Sequence, residues 1–260
     1  MKIIVCIKQV PDTTEVRIDQ KTGTLIREGV PSIINPDDKS GIEAALVLKE
    51  RYGAHITLLS MGPDQAELAL IEGLAMGADR AILLSDRAFA GSDTWATSIA
   101  LAYAIKKIDY DVIICGRQAI DGDTAQVGPQ IAEHLSLPQV SYVTSIEKEE
   151  NSLKVKKVFE DFSQNIRIKM PCMITVLKEI NQPRYMTVGR IFDAYKENQV
   201  ERWNIQNIDM DPSLTGLKAS PTQVKKIQTK GAKTAGKVFE VDAREGARLI
   251  VEKLKEKFVN

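Results

Sequence analysis

Asp111-Val112-Ile113-Ile114-Cys115, followed by Gly116-Arg117-Gln118-Ala119-Ile120-Asp121-Gly122-Asp123-Thr124-Ala125-Gln126-Val127-Gly128, reads as a strand, a polar turn and the start of a helix. Val112 to Cys115 is apolar without alternation, which suits a strand buried on both faces. Gly116 and Gly122 permit tight backbone paths through the turn. Asp123 or Thr124 is placed to cap a helix over 124–135. The free N–H groups and dipole of such a helix start attract anions. Thr124 and Gln126 add neutral donors and Arg117 adds a cation, a combination suited to a pyrophosphate. The same residues also satisfy an ordinary β–α turn with a good cap.

The same alternation extends to both sides. Strand-like runs fall at 2–8, 55–59, 81–84 and 111–115, and helix-like runs at 39–51, 64–75, 94–107 and 124–135. Apolar strands separated by amphipathic helices imply an α/β fold, a mostly parallel sheet with helices on both faces. In such sheets ligands gather beyond the carboxyl ends of the strands. After Pro138 the pattern changes. Segments 140–148, 153–159, 164–169 and 172–178 look like strands joined by polar turns, predicting antiparallel additions. Residues 181–240 carry little periodicity, a pattern suited to wrapping a partner. Asp242 to Phe258 is an amphipathic helix with Leu249, Ile250, Leu254 and Phe258 on its apolar stripe and Asp242 as N-cap. The predicted division is a globular domain over 1–200 and an extended arm with this helix over 201–260.

Two further loops fall at the same predicted sheet edge. Ser60-Met61-Gly62-Pro63 ends the second strand, and Asn35-Pro36-Asp37-Asp38 precedes the first helix, with Asp37 or Asp38 able to cap it. Together with the 116–127 turn they favour an adenine-nucleotide pocket. Neither G-x-x-x-x-G-K-[ST] nor G-x-G-x-x-G after a strand occurs. After the first strand stands Lys8-Gln9-Val10-Pro11-Asp12, not a serine-rich pyrophosphatase loop.

Other chemistries find little support. His55 begins a strand and His134 ends a helix, where a cation suits the dipole. Neither has an acid or nucleophile beside it in the sequence. Asp12, Asp121 and Asp123 read as turn and cap residues before general bases. No catalytic side chain and no metal site is expected. Cys6, Cys115 and Cys172 sit in apolar strand-like runs without a CxxC spacing, as buried small hydrophobes. With Lys+Arg equal to Asp+Glu at 35 each, nucleic acid is not the expected partner. Trp95 and Trp203 are too scattered for a base-stacking platform. The 43% hydrophobic content supports a sizeable core. The apolar run at the N-terminus is too brief for a signal peptide, and no stretch approaches a membrane span. A cytoplasmic location is expected, or an organelle matrix after processing.

Four segments, taken together, resemble the beta subunits of electron-transfer flavoproteins. They are Gly116-Arg117-Gln118-Ala119-Ile120-Asp121 through Asp123-Thr124-Ala125-Gln126; Asn35-Pro36 with the Glu43-Ala44-Ala45 helix; Leu74-Ala75-Met76-Gly77-Ala78-Asp79-Arg80; and Asn181-Gln182-Pro183-Arg184-Tyr185-Met186-Thr187. The resemblance covers residues 1–200 in order and includes a family-like C-terminal helix. It implies an adenine-nucleotide-hydrolase-like or flavodoxin-like fold and an obligate complex with an alpha subunit, contacted by residues 201–260. In ordinary members the beta subunit holds a structural AMP. In electron-bifurcating members it holds FAD, reduced by NADH, with one electron passing to ferredoxin or flavodoxin. The other passes through the alpha-subunit FAD to a flavin-dependent dehydrogenase of acyl-CoA or hydroxy-acid type.

Arg117 and Gly122-Asp123-Thr124-Ala125, with the stretch Ser85 to Ser98, resemble the bifurcating group. Trp95 departs from the smaller aliphatic residue usual there, and Gly189 from the commoner proline. By the same resemblance, Cys6 (through its backbone) and Met61 with Gly62 flank the adenine. Asn35, Pro36, Asp37 and Asp38 meet the adenosine. Gly116, Arg117, Gln118, Ala119, Ile120, Asp121, Gly122, Asp123, Thr124, Ala125, Gln126 and Val127 cradle ribose and phosphates. Thr94 and Thr97 lie toward the flavin. Arg184, Tyr185, Val188 and Ile191 belong to the loop that docks the dehydrogenase. The alternatives are a non-bifurcating subunit with AMP and a standalone nucleotide-binding regulator.

Overall fold

The computed structural model describes residues 1–12, 31–196, 200–223 and 236–258. The chain forms two compact units, Met1–Lys225 and Lys226–Asn260.

In chain order the first unit contains β1 (Lys2–Cys6), β2 (Gln9–Pro11), β3 (Ser32–Ile34), α1 (Pro36–Tyr52), β4 (His55–Met61), α2 (Glu67–Met76) and β5 (Arg80–Leu84). It continues with α3 (Thr94–Ile105), β6 (Val112–Gly116), α4 (Val127–His134), β7 (Gln139–Glu149), β8 (Ser152–Val158), β9 (Ser163–Lys169) and β10 (Cys172–Val176). It ends with α5 (Val188–Lys196), β11 (Val200–Trp203) and a short α6 (Gly216–Ala219). Nine strands make one sheet in the order β11-β5-β4-β1-β6-β10-β7-β8-β9, and β2 pairs with β3 in a small antiparallel ribbon.

The strands carry the two-residue alternation onto two cores. Ile3, Val5, Ile56, Leu58, Val112, Ile114, Ile174 and Val176 face α1 and α2. Ile4, Cys6, Leu59, Ile113, Cys115 and Met173 face α3 and α4. Both faces of the central strands are therefore covered, and each full burial of an Ile, Leu or Val contributes about 1.5–3 kcal/mol.

The predicted helices and first four strands form with boundaries shifted by a few residues. Two readings change. Of the four strands read as antiparallel additions after Pro138, β10 lies between β6 and β7, parallel to both, and the antiparallel pairings are β7 with β8 and β8 with β9, so β8 alone of the four runs against the parallel strands. β10 is buried at all five positions, the mark of an interior strand, whereas β8 alternates. The 181–240 segment is not uniformly irregular: α5 forms, and β11 adds a parallel edge strand against β5. Part of that segment lies outside the described residues. Residue 200, where the sequence reading divides the chain, begins β11, which pairs with β5, and the first compact unit runs from Met1 to Lys225.

In the second unit α7 (Ala243–Phe258) forms as expected. Asp242 accepts hydrogen bonds from the N–H groups of Arg244 and Glu245, both at 2.9 Å, as an N-cap does.

Candidate functional site

One cavity of about 880 Å³ opens at the carboxyl ends of β1, β4, β5 and β6. The chain runs from β1 to β4 and β5 on one side, then crosses to β6 on the other. The cavity sits at this switch point, where the two outgoing connections part and leave a crevice.

Its wall is built around Asp38. One carboxylate oxygen accepts the Lys8 N–H at 2.8 Å, and the other accepts the Gly116 N–H at 2.9 Å. A single side chain in the first turn of α1 thus ties together the ends of β1 and β6. The fit requires glycine at 116, because a Cβ there would stand 2.3 Å from Asp38 Oδ1 and 2.7 Å from its backbone nitrogen. Burial pushes the Asp38 carboxyl up to about 7, against the opposing pull of hydrogen bonds from Lys8, Asn35 and Gly116. Asp37 is also raised by burial, with Arg117 pulling the other way. The expected capping role of Asp37 and Asp38 is not what the structure shows. The helix begins at Pro36, its N-cap Asn35 makes no side-chain cap bond, and Asp38 spends both oxygens on neighbouring strands.

The 116–127 turn is held from beneath. The Asn35 side-chain amide donates to the Gln118 carbonyl at 2.9 Å, and its oxygen accepts the Ile120 N–H at 3.1 Å. Asp121 binds the Lys8 ammonium at 2.7 and 2.8 Å. Gln118 donates to Asp123 at 2.8 Å. Arg117 Nε lies 3.4 Å from Asp37 Oδ2, yet neither atom makes a hydrogen bond. The guanidinium is held by charge with donor capacity to spare.

The cap predicted at Asp123 or Thr124 does not form. Asp123 and Ala125 take left-handed backbone angles, φ 49° and 53°, which no α-helix accommodates, so α4 starts later, at Val127. No side chain caps that start, which leaves its first N–H groups without side-chain partners at the cavity edge. Gly122, read as a tight-path residue, has no atom crowding its Cβ position.

Of the residues anticipated for a cofactor, Cys6, Asp38, Met61, Gly62, Thr94, Thr97, Gly116, Arg117, Gln118, Ala119, Gly122, Thr124, Ala125, Gln126 and Val127 line the cavity. Asn35, Asp37, Ile120, Asp121 and Asp123 stand behind it as supports or at the surface, and Pro36 faces a separate shallow groove. Thr94 Oγ1 donates to Gln126 at 2.8 Å, joining the loops before α3 and α4. Asp93 caps α3, accepting the Ala96 N–H at 3.0 Å, as the sequence suggested for Asp93-Thr94.

The sequence reading missed Lys8, which both frames Asp38 and pairs with Asp121, and the lining role of Gln9 and Asp64. Their only signal was position, directly after a strand end.

Cys6 and Cys115 are register partners on β1 and β6 and line the same cavity. A hydrogen bond with Cys6, and then burial, hold the Cys115 thiol well above its usual range. All three cysteines are buried and free. His134 ends α4, as read from the sequence. Burial, then the Lys106 charge, lower its pKa, and Nε2 meets Ser98 Oγ at 3.1 Å beside the Trp95 ring. Among the described residues no group of three His, Cys, Asp or Glu side chains is placed for a metal. Also among them, no helix is long and apolar enough to cross a membrane.

The expected docking residues separate into two kinds. Tyr185 and Val188 stand almost fully in solvent. Arg184 is drawn onto α1 by Glu43 and Glu50, and Ile191 packs against the core. Phe192 and Tyr195, not anticipated, continue the exposed apolar face of α5.

A family model described as "Electron transfer flavoprotein domain" matches residues 22–207. The chain is 57% identical to "Electron transfer flavoprotein subunit beta" of Clostridium acetobutylicum over 98% of both chains. It is 52% identical to the protein of the same name from Thermoanaerobacterium thermosaccharolyticum, and 53% identical to "Caffeyl-CoA reductase-Etf complex subunit CarD" of Acetobacterium woodii, each over the full length of both. A cavity at the switch point of a doubly covered parallel sheet, together with similarity along the whole chain, shows that this chain belongs to the electron-transfer flavoprotein family, as a beta subunit.

Proposed function

We propose that the cavity holds FAD and that the chain serves an electron-bifurcating complex with an alpha subunit. Bound FAD would accept hydride from NADH, send one electron to ferredoxin or flavodoxin, and send the other through the alpha-subunit FAD to a dehydrogenase. The observation that carries this reading is the size of the cavity, about 880 Å³. That lies near the top of the ~300–1,000 Å³ range of ligand pockets, more than a mononucleotide needs.

The residues present fit such a group. The uncapped start of α4 and the under-bonded Arg117 suit a pyrophosphate. The space extends past them along the 85–94 loop to Thr94 and Thr97, leaving room for a ring system beyond the phosphates. No side chain of this chain need act as acid or base. Its task is to hold, orient and shield the cofactor. The exposed Tyr185 and Val188 suit docking of a dehydrogenase. The relative named as part of a caffeyl-CoA reductase complex supports a partner of the acyl-CoA kind.

The test is nucleotide content after co-expression with the cognate alpha subunit, by acid release and chromatography, followed by NADH titration of the same sample. Two FAD per heterodimer, no AMP and bleaching by NADH are expected. One FAD with one AMP and no bleaching would overturn the proposal in favour of a non-bifurcating subunit with a structural nucleotide. A chain that is stable alone and binds ATP would support a standalone regulator.

A further inference from the structure

We propose that Asp38 is the positioning residue of this cavity: its carboxyl fastens the ends of β1 and β6 to α1, and an anionic ligand entering the cavity is bound together with a proton taken up there. The proposal rests on the reading of the cavity as a nucleotide site and adds to it how that site responds to pH.

The geometry has three parts. Asp38 lines the cavity yet is only 7% exposed. Its two oxygens each accept a main-chain N–H from a different strand, Lys8 at 2.8 Å and Gly116 at 2.9 Å. Lys8 and Gly116 are the points from which both polar turns around the cavity depart. Moving this carboxyl moves the cradle.

The charges around it leave the carboxylate uncompensated. On α1, Asp37 adds a like charge, and it takes the attraction of Arg117. Glu179, beyond β10, adds a further negative field at Asp37. At the end of β1 the Lys8 ammonium is committed to Asp121 from the turn after β6. From β1 and β6 the nearest titratable groups are the thiols of Cys6 and Cys115, and Cys115 is held protonated. Among the described residues no cation pairs with Asp38. A phosphate entering beside it adds another negative charge to a poorly solvated wall, and uptake of one proton relieves the repulsion. Burial already places the carboxyl near neutrality, so that proton is exchangeable in the ordinary pH range.

The experiment titrates the heterodimer with the alpha subunit, this chain's cavity stripped of nucleotide and the alpha-subunit flavin in place, with FAD by calorimetry between about pH 6 and about pH 8.5, in two buffers of different ionisation enthalpy. FAD is the probe because its pyrophosphate keeps a constant charge over this range. The dissociation constant should be nearly flat below about pH 7 and rise toward about tenfold per pH unit above it, with up to one proton absorbed per FAD bound. In Asp38→Asn, which keeps the shape and cannot titrate, both effects should vanish. In His134→Gln, which removes the imidazole at the end of α4, outside the cavity lining, both should persist. Should Asp38→Asn fail to fold, proton uptake by the unaltered chain decides. FAD binding with a flat pH profile and no proton uptake overturns the role of Asp38 and leaves the nucleotide reading standing. No FAD binding at any pH overturns the nucleotide reading, and this proposal with it.

Discussion

Asp38 shows how one residue can serve a site at the expense of the fold. A buried carboxylate without a cation is costly, and here the cost is only partly offset by two main-chain hydrogen bonds. With the folded pKa raised from 3.8 to about 7, the folded chain binds one more proton than the unfolded chain between those values. Stability from this group is therefore fully present below about pH 4 and is lost as pH rises through about 7, at up to about 1.4 kcal/mol per pH unit. Carboxylates whose pKa is lowered, such as Asp79 beside Lys49, act in the opposite direction, so the total curve does not isolate the effect. The difference between the unaltered chain and Asp38→Asn does. Urea unfolding from pH 4.5 to 8 should show the unaltered chain losing ground to the variant as pH rises, then a constant difference above about 7.5. A difference independent of pH would mean that Asp38 keeps an ordinary pKa in the folded chain.

Between elements, Arg184 ties the 181–187 segment of the polar second half to α1. Its guanidinium binds Glu43 at 2.8 and 2.9 Å and Glu50 at 2.5 Å, pinning the 181–187 segment along α1. Glu43 is buried and Glu50 is exposed, so the two partners should not count equally. Glu43→Gln leaves a guanidinium facing a neutral amide in a part-buried setting and should cost about 1–3 kcal/mol. Glu50→Gln should leave the unfolding midpoint unchanged within error. Equal effects would show that the network acts only through surface charge. This contact was invisible in the sequence, since Arg184 and Glu43 are far apart along the chain and nothing local marks them as partners. What was legible followed from local chemistry: continuous apolar runs for β1, β4, β5 and β6, and helical spacing for α1 to α3. β10 was readable as a strand but not as an interior one, because strand order is a long-range property. Around the cavity, strand ends foretold Met61, Gly62 and Gly116. The left-handed angles at Asp123 and Ala125 carry no such signal, since neither is a glycine, and they displaced the predicted cap.

For the whole molecule, the function proposed above divides the work between the two compact units. Among the described residues, all those that line the cavity lie between Cys6 and Gly128, and all the strands of the large sheet belong to the first unit. The second unit carries an amphipathic helix whose Ile250, Val251 and Leu254 are exposed in the single chain. Apolar side chains at helical spacing on an exposed face mark a surface for a partner, and a neutral net charge does little to keep such a chain apart from others. Nucleotide binding and partner binding should therefore be separable by truncation. A chain ending at residue 225 should keep its FAD affinity within about twofold, a change of about 0.4 kcal/mol, because none of the described cavity residues is removed. The same truncation should abolish co-purification with the alpha subunit. Loss of FAD binding on truncation would mean that the cavity depends on residues beyond 225 and that the division of labour is wrong. Retained co-purification would move the partner surface to the first unit, where Tyr185, Val188, Phe192 and Tyr195 are exposed on one helix and its approach.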